Sequence, residues 1–413
     1  MVPVNYFNLF GYISGGLSIL MLFVFYGTRL RYSRLWTIVV TPLASIIGSG
    51  FLVVAPLLYQ NFGRYHSYAI VLINLFALGI GWILRTNIHH FEPLLENGNG
   101  HTQLLLRIES GARILLGVSY IISVGFYLSL LSSFALNIFE IESYLGVRLL
   151  TTAILIFIGL FGFLRGLHGL EKLEKISVNI KLSVIAGLVL ALILSAGYFK
   201  VNGTVRPELA IPSLSFQSLQ ILGGMLLIVQ GFETTRYLGK DYTAKERARG
   251  LLIAQLIAAL IYIVFVPLAA PLAVDLTQAS NETAIISIVG RAGFGLATSL
   301  SLAAIFSQFG AAVADTVGSG GILEEETRGR VRRRVGYLLV TILAAITIWT
   351  GNIFSVLSLA SRAFALYYAF QAVMASILSY DHPEIPYRRV RLILFPVLAV
   401  ILVLIAIFAI PAH

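Results

Sequence analysis

The feature that most limits this chain is the length of its uncharged apolar runs. Residues 392–410, LILFPVLAVILVLIAIFAI, carry no charged or hydrogen-bonding side chain. At about 1.5 Å per helical residue, such a run spans the roughly 30 Å hydrocarbon core of a bilayer. About twelve runs of this kind follow one another, near 6–27, 34–59, 66–86, 109–138, 147–165, 175–198, 217–237, 250–272, 292–315, 335–350, 352–379 and 391–410. Charged residues make up only 12% of the chain, against about 25% in soluble domains. The expected fold class is an all-α polytopic membrane protein of about 12 transmembrane helices, with no separate soluble domain. No Lys or Arg precedes Arg29, so 6–27 reads as a true span and not as a cleaved signal. The absence of cysteine excludes disulfides and thiolate metal sites.

A net charge of +10 could point to nucleic acid, but its distribution points elsewhere. With the N-terminus outside, the cytoplasmic loops receive Arg29, Arg31 and Arg34, then Arg85 and Arg107, then Arg165, Lys172 and Lys175. They also receive Arg236, Lys240, Lys245, Arg247 and Arg249, the Arg328–Arg334 cluster, and Arg388, Arg389 and Arg391. The outer loops receive only Arg64, Arg148, Lys200, Arg206 and Arg291. That asymmetry is the positive-inside rule, so the basic balance encodes topology. It predicts a multi-pass protein of the cell membrane with both termini extracellular or periplasmic, and no nucleic-acid partner.

One span is built to break. TPLASIIGSGFLVVAPLL, residues 41–58, centres on Gly48-Ser49-Gly50, and each glycine costs about 1 kcal/mol relative to alanine inside a helix. Discontinuous helices in transporters occur as pairs at matching positions of inverted repeats, where freed backbone groups line a cavity at the bilayer midplane. The partner is LGGMLLIVQGFETTRYLG, residues 222–239, with Gln230-Gly231-Phe232-Glu233 at mid-span. Gly231 follows Gly48 by 183 positions (231 − 48), and the same offset carries the span starting at Glu109 onto the one starting at Ala292. The chain therefore divides into an extra helix and linker at 1–33, a five-helix repeat at 34–199, an inverted five-helix repeat at 200–379, and a last helix at 380–413. A close helix–helix contact would also use small residues at Gly48-Ser49-Gly50 without any break.

Ile46-Ile47-Gly48-Ser49-Gly50-Phe51, with Pro56 shortly after, resembles the first-core-helix signature of amino acid–polyamine–organocation (APC) transporters. Gly231-Phe232-Glu233, followed by Lys240-Asp241-Tyr242-Thr243-Ala244-Lys245-Glu246-Arg247, is similar to the sixth core helix and following loop of that family. The resemblance covers most of residues 34–410. It implies the leucine-transporter-type 5+5 inverted repeat, alternating access and a small organic solute, often an amino acid. The chain departs from the family pattern in the extra span at 6–27 and in a more polar sixth helix. The resemblance also implies that Lys181 occupies the position where relatives bind sodium, giving a sodium-independent and possibly proton-coupled transporter. The residue reading alone leaves open that Lys181 snorkels to the interface.

The expected substrate site is Ile47, Gly48, Ser49, Gly50, Gln230, Gly231, Phe232 and Glu233, with Tyr127 as a lid. Amides near Ser49 and Gly50 would hold an anionic or polar head, and carbonyls around Gly231 the amino group. Glu233 could also pair with Arg236 one turn on, bind a cationic group or carry a proton. Lys181 and Asp315 are candidates for coupling, although Asp315 also suits a helix cap or a pair with Lys181. Arg362 either pairs with an acidic group, Glu233 or a loop carboxylate, or is the candidate gate, and Ser307 and Gln308 are candidate cavity groups. His89-His90-Phe91-Glu92 lacks metal-site spacing, and Gly98-Asn99-Gly100 lacks phosphate-loop context. No cofactor or metal is expected, and no histidine lies in a core span to support an enzyme. The leading reading is a secondary active transporter for an amino acid or related amine in the lipid bilayer. The alternatives are an inorganic cation transporter of the same fold or a transporter-like sensor.

Overall fold

The uncharged runs fold as helices, and the two glycine-centred interruptions remain interruptions. The computed structural model describes every residue except 1–3, 49, 93–101, 142, 203–208, 210, 212–214, 227–228, 239–241, 274–283, 351–352 and 411–413. Helix α1 covers Val4–Gly27, α2 Arg34–Ile46, α3 Gly50–Phe62, α4 His66–His90 and α5 Thr102–Ile138. Next come α6 at Tyr144–Val201, α7 at Phe216–Leu226, a 3₁₀ segment at Phe232–Leu238 and α8 at Ala244–Ala269. The chain ends with α9 at Ala284–Gly290, α10 at Leu296–Glu326, α11 at Arg333–Thr350, α12 at Ile353–Asp381 and α13 at Arg388–Phe408. Among the described residues, nine helices are long and apolar enough to cross a bilayer.

Helix α6 runs for 58 residues, which straight would measure about 87 Å and overshoot any bilayer. The excess is absorbed at Gly166, whose φ of 67° and ψ of −162° interrupt the helix and leave two halves. The positive φ favours glycine here, and a Cβ would also meet the Arg334 guanidinium at 3.1 Å. Lys172 and Lys175, placed in a loop by the sequence, are therefore helical, as is Glu174 between them.

The predicted span 292–315 is corrected in the same way, because α10 continues to Glu326. The small residues after Asp315 do not end the helix. They let neighbours approach: a Cβ at Gly318 would lie 2.8 Å from the Tyr120 ring, and one at Gly320 2.5 Å from Tyr337. Helix α10 accordingly packs on α5, α6 and α11, forming a wall behind the first interruption.

The lipid-facing surface is apolar, as on α13, where Ile393, Val400 and Leu404 are exposed. Helix α1 lies against the second half of α6. Its Phe7 carbonyl accepts a 3.0 Å bond from the Phe294 amide just before α10. At its other end Phe25 stacks on Trp36 of α2 (centroids 5.4 Å apart), and the Trp36 indole donates to Asn179 Oδ1 of α6 at 3.1 Å. Near its middle, Gly187 of α6 lets α1 approach so closely that a Cβ would sit 2.2 Å from Ser18 Oγ and 2.5 Å from the Ser14 carbonyl.

A Gly187→Leu substitution must therefore push α1 off α6 and should cost about 1–3 kcal/mol, read as a lower melting temperature in detergent. Gly197→Ala, with nothing within 4 Å of its Cβ position, should leave melting unchanged. Equal melting of the two variants would show that α1 is not seated on α6.

Candidate functional site

Helix α2 stops at Ile46, and Ile47 turns out of the helix at φ −91° and ψ 52°. A helix end leaves its last carbonyls without intrahelical donors, and in a membrane interior no water replaces them. Here they are met by side chains from three other helices. Lys181 of α6 donates its ammonium to the carbonyls of Ala44 and Ile47 at 2.8 Å each and of Leu43 at 3.3 Å. Tyr262 of α8 donates to the Ile46 carbonyl at 3.0 Å. The Ser307 hydroxyl of α10 lies against the Ile47 and Gly48 carbonyls. Lys181 is 0% exposed, so its charge does not snorkel to the interface. It neutralises the negative end of the α2 dipole, the stabilising placement for a cation.

The second interruption lies against the first. Gly231 has φ 115°, and a Cβ on it would fall 2.3 Å from Ser45 Oγ, so only glycine allows this contact. Ser45 in turn donates to Asp315 Oδ1 at 3.2 Å. Asp315 is therefore a fully buried residue in mid-α10, facing the first break, and not the helix cap or Lys181 partner considered from sequence. Glu233 is also fully buried, accepting from the Gly231 amide at 3.2 Å, from Tyr120 at 3.1 Å and from Tyr368 at 2.5 Å. The Phe232 ring stacks on Tyr368 with centroids 5.4 Å apart. Glu233 does not pair with Arg236, which bonds Glu109 of α5 and Gln371 of α12.

Several expectations shift. The Gly231 and Phe232 carbonyls, assigned to a substrate amine, accept the hydroxyls of Thr234 (2.7 Å) and Thr235 (2.9 Å). Tyr127 is buried, but Tyr120, one heptad earlier, reaches Glu233. Arg362 is exposed and makes no ion pair with Glu233, so it stands apart from the cluster. Ser49 lies outside the described residues, and Gly50 is the first residue of α3. Among the described residues no group of three metal-ligating side chains occurs, His89 and His90 included. Glu174, buried at 1% exposure and seven residues before Lys181 on α6, escaped the sequence reading because its segment was placed in a loop.

Several buried polar atoms at or beside the breaks bond no described residue: both amide atoms of Gln308, Gln230 Oε1 and Asp315 Oδ2. Gln308, Ala311 and Asp315 recur at i, i+3 and i+7 on α10, and Ala311 Cβ would be 3.3 Å from a Cβ at Gly48. An orphaned buried polar group costs about 1–3 kcal/mol, so such a concentration marks a place where hydrogen-bonding capacity is held for something else.

A family model described as APC superfamily transporter matches residues 28–409. An uncharacterized protein of Aquifex aeolicus (strain VF5) is 40% identical over 412 residues, 99% of each chain. Two mutant forms of the Eremococcus coleocola manganese transporter superpose with TM-scores of 0.54 and 0.55 at 15% and 14% identity, covering 90% of this chain and 86% of theirs. At that identity the likeness is one of fold.

Replacing Lys181 with Met removes the donor from three buried carbonyls, and the melting temperature should fall by the equivalent of about 3–5 kcal/mol. Tyr127→Phe should melt like the parent. A Lys181→Met protein of unchanged stability would mean that the α2 carbonyls do not depend on the ammonium.

Proposed function

Because this chain belongs to the APC superfamily of transporters, we propose that the paired interruptions hold the cargo of a secondary active transporter that moves a small amino-acid-like solute by alternating access. The family consists of transporters and not enzymes. The observation that carries the reading is an asymmetry at the first break. Its carbonyl side is already occupied by Lys181, Tyr262 and Ser307. What remains for a ligand is the amide end of α3 at Gly50, together with the orphaned atoms of Asp315, Gln230 and Gln308.

Those groups suit a zwitterion. A helix N-terminus favours a carboxylate through its free amides and dipole. The Asp315 carboxylate and the side-chain amide oxygens suit an ammonium group, a role that passes to them because the Gly231 and Phe232 carbonyls accept threonine hydroxyls. Ile47, Gly48, Gly50, Gln230, Gly231, Phe232 and Glu233 frame this space, and Ser49 belongs with them by sequence. A metal cargo is disfavoured because the first broken helix brings no carboxylate to the gap.

In this reading the two halves of α6 count as separate spans, α2 with α3 makes one broken span, and α7 with the 3₁₀ segment makes the other. The total is twelve, arranged as one extra helix, two inverted sets of five and a final helix. The basic loops face the cytoplasm and both termini lie outside. Lys181 stands in for the sodium ion of sodium-dependent relatives, so no sodium is needed. Asp315, next to the break and bonded through Ser45, is the group placed to take a proton in each cycle.

The test is counterflow of a radiolabelled amino-acid and amine panel in proteoliposomes. Uptake of at least one zwitterionic solute, equal in sodium and choline and increased by an inward proton gradient, is the expected result. Gly48→Leu should abolish it, since even a Cβ there falls 2.8 Å from the Ser45 carbonyl. Sodium-dependent uptake, or full affinity in Gly48→Leu, would overturn the assignment.

A further inference from the structure

Helix α13 opens with Arg388, Arg389 and Arg391, and the three side chains end in different surroundings. Arg388 folds back on α12, donating to the carbonyls of Ser379 and Tyr380 at 3.0 Å each. Arg389 is exposed. Arg391 is only 7% exposed and lies over the Trp82 ring of α4, its guanidinium carbon 5.4 Å from the ring centroid. Phe395, one turn further along α13, meets the same indole edge-on with centroids 5.3 Å apart. Two residues of α13 at i and i+4 thus hold the ring, and the ring holds the guanidinium.

No carboxylate answers that buried charge. Arg391 Nε and Nη1 are shielded from solvent and have no hydrogen-bond partner, and among the described residues Arg391 makes no ion pair. The carboxylates at this end of the bundle are already engaged, Glu384 with His382 at 2.9 Å and Glu92 with Arg236 and Arg247. His89 and His90 of α4 lie within range of the Arg391 charge and bring no negative charge to it. The indole face attracts the cation but accepts none of its in-plane N–H bonds. A buried guanidinium with unmet donors is costly, and an anion that reached it would remove the cost.

The surroundings say what kind of anion. Tyr380 and Tyr387 are exposed around the start of α13, as aromatic side chains are at headgroup level. Val390 and Ile393, on either side of Arg391, are exposed where hydrocarbon begins. We propose that Arg391, with Arg389 at the rim, binds the phosphate group of an anionic phospholipid. A guanidinium offers parallel N–H donors to two phosphate oxygens. Val390 and Ile393 favour a phosphate that arrives with its acyl chains, and a dissolved ion would have to shed its water to reach so shielded a side chain. A zwitterionic lipid fits less well, because its own cation would meet Arg389 and the guanidinium. This binding is independent of what the protein carries.

The test uses the full chain in dodecylmaltoside, stripped of co-purified lipid and titrated with phosphatidylglycerol or phosphatidylcholine at fixed ionic strength, with bound lipid read by native mass spectrometry. The parent should bind its first phosphatidylglycerol about tenfold more tightly than phosphatidylcholine, the ratio expected for hydrogen bonds to a charged partner. Arg391→Gln should abolish that preference. Arg332→Gln, which removes one positive charge from the exposed loop between α10 and α11, should keep it. An equal loss in both variants would mean attraction to net charge alone and would overturn the site. If Arg391→Gln fails to fold, Arg391→Lys replaces it: the charge stays but the fork on Trp82 is lost, so phosphatidylglycerol should bind more weakly than in the parent. An unchanged preference in the variant used would also overturn the site. Inorganic phosphate and glycerol phosphate should not displace the lipid, and displacement by either would make a soluble phosphate the ligand and overturn the assignment to lipid.

Discussion

One ammonium group makes the rest of this structure possible. A helix that stops halfway through a bilayer presents aligned carbonyl dipoles to a medium without water, which is prohibitive unless something positive meets them. Lys181 meets three of them from the second half of α6. The cost of burying its charge is offset by those bonds and by the helix dipole, since neither group has a better partner at that depth. The interaction also fixes α6 against α2, and α1 then adds its own contacts to α6 at Gly187 and to α2 at Trp36. In the function proposed above, this built-in cation takes the place of a borrowed sodium ion.

With the carbonyl side closed, the buried polar atoms left unpaired among the described residues at the breaks belong to the side chains of Asp315, Gln230 and Gln308. The two interruptions touch at Gly231 and Ser45, where no other residue could replace glycine without a clash. Helix α10 completes the wall through small residues, with Gly310 against Ser177 and Ala44 and Ala311 beside Gly48. The result is a junction of close backbone contacts with Asp315 and Glu233 buried in it.

Much of this was legible in the sequence. Glycines in the middle of apolar runs, repeated at one offset, gave the positions of both breaks, and Lys181 stood out as a charge in the wrong solvent. The residues alone left snorkelling open, and the buried ammonium on the α2 carbonyls excludes it, whereas the sodium-equivalent role came only from the resemblance to APC transporters. Asp315 was misplaced because the small residues that follow it look like a helix end, whereas Gly318 and Gly320 are packing surfaces for Tyr120 and Tyr337. Tyr120 and Tyr127 share a helical face, so choosing between them required the partner helix. Proximity in the sequence made Arg236 one candidate partner of Glu233, but Glu92 and Glu109, both over a hundred positions away, take it. Contacts of that range leave no local trace.

The measurement that bears most directly on the account is the sodium dependence of thermal stability, compared between the parent protein and Lys181→Ala at equal ionic strength in sodium and choline chloride. The account predicts a parent indifferent to sodium and a variant stabilised by it saturably, because the vacated oxygens of Leu43, Ala44, Ile47 and Ser307 form a ready sodium site. A parent that is itself saturably stabilised by sodium, or a variant as indifferent as the parent, would contradict the claim that this ammonium holds the cation's place.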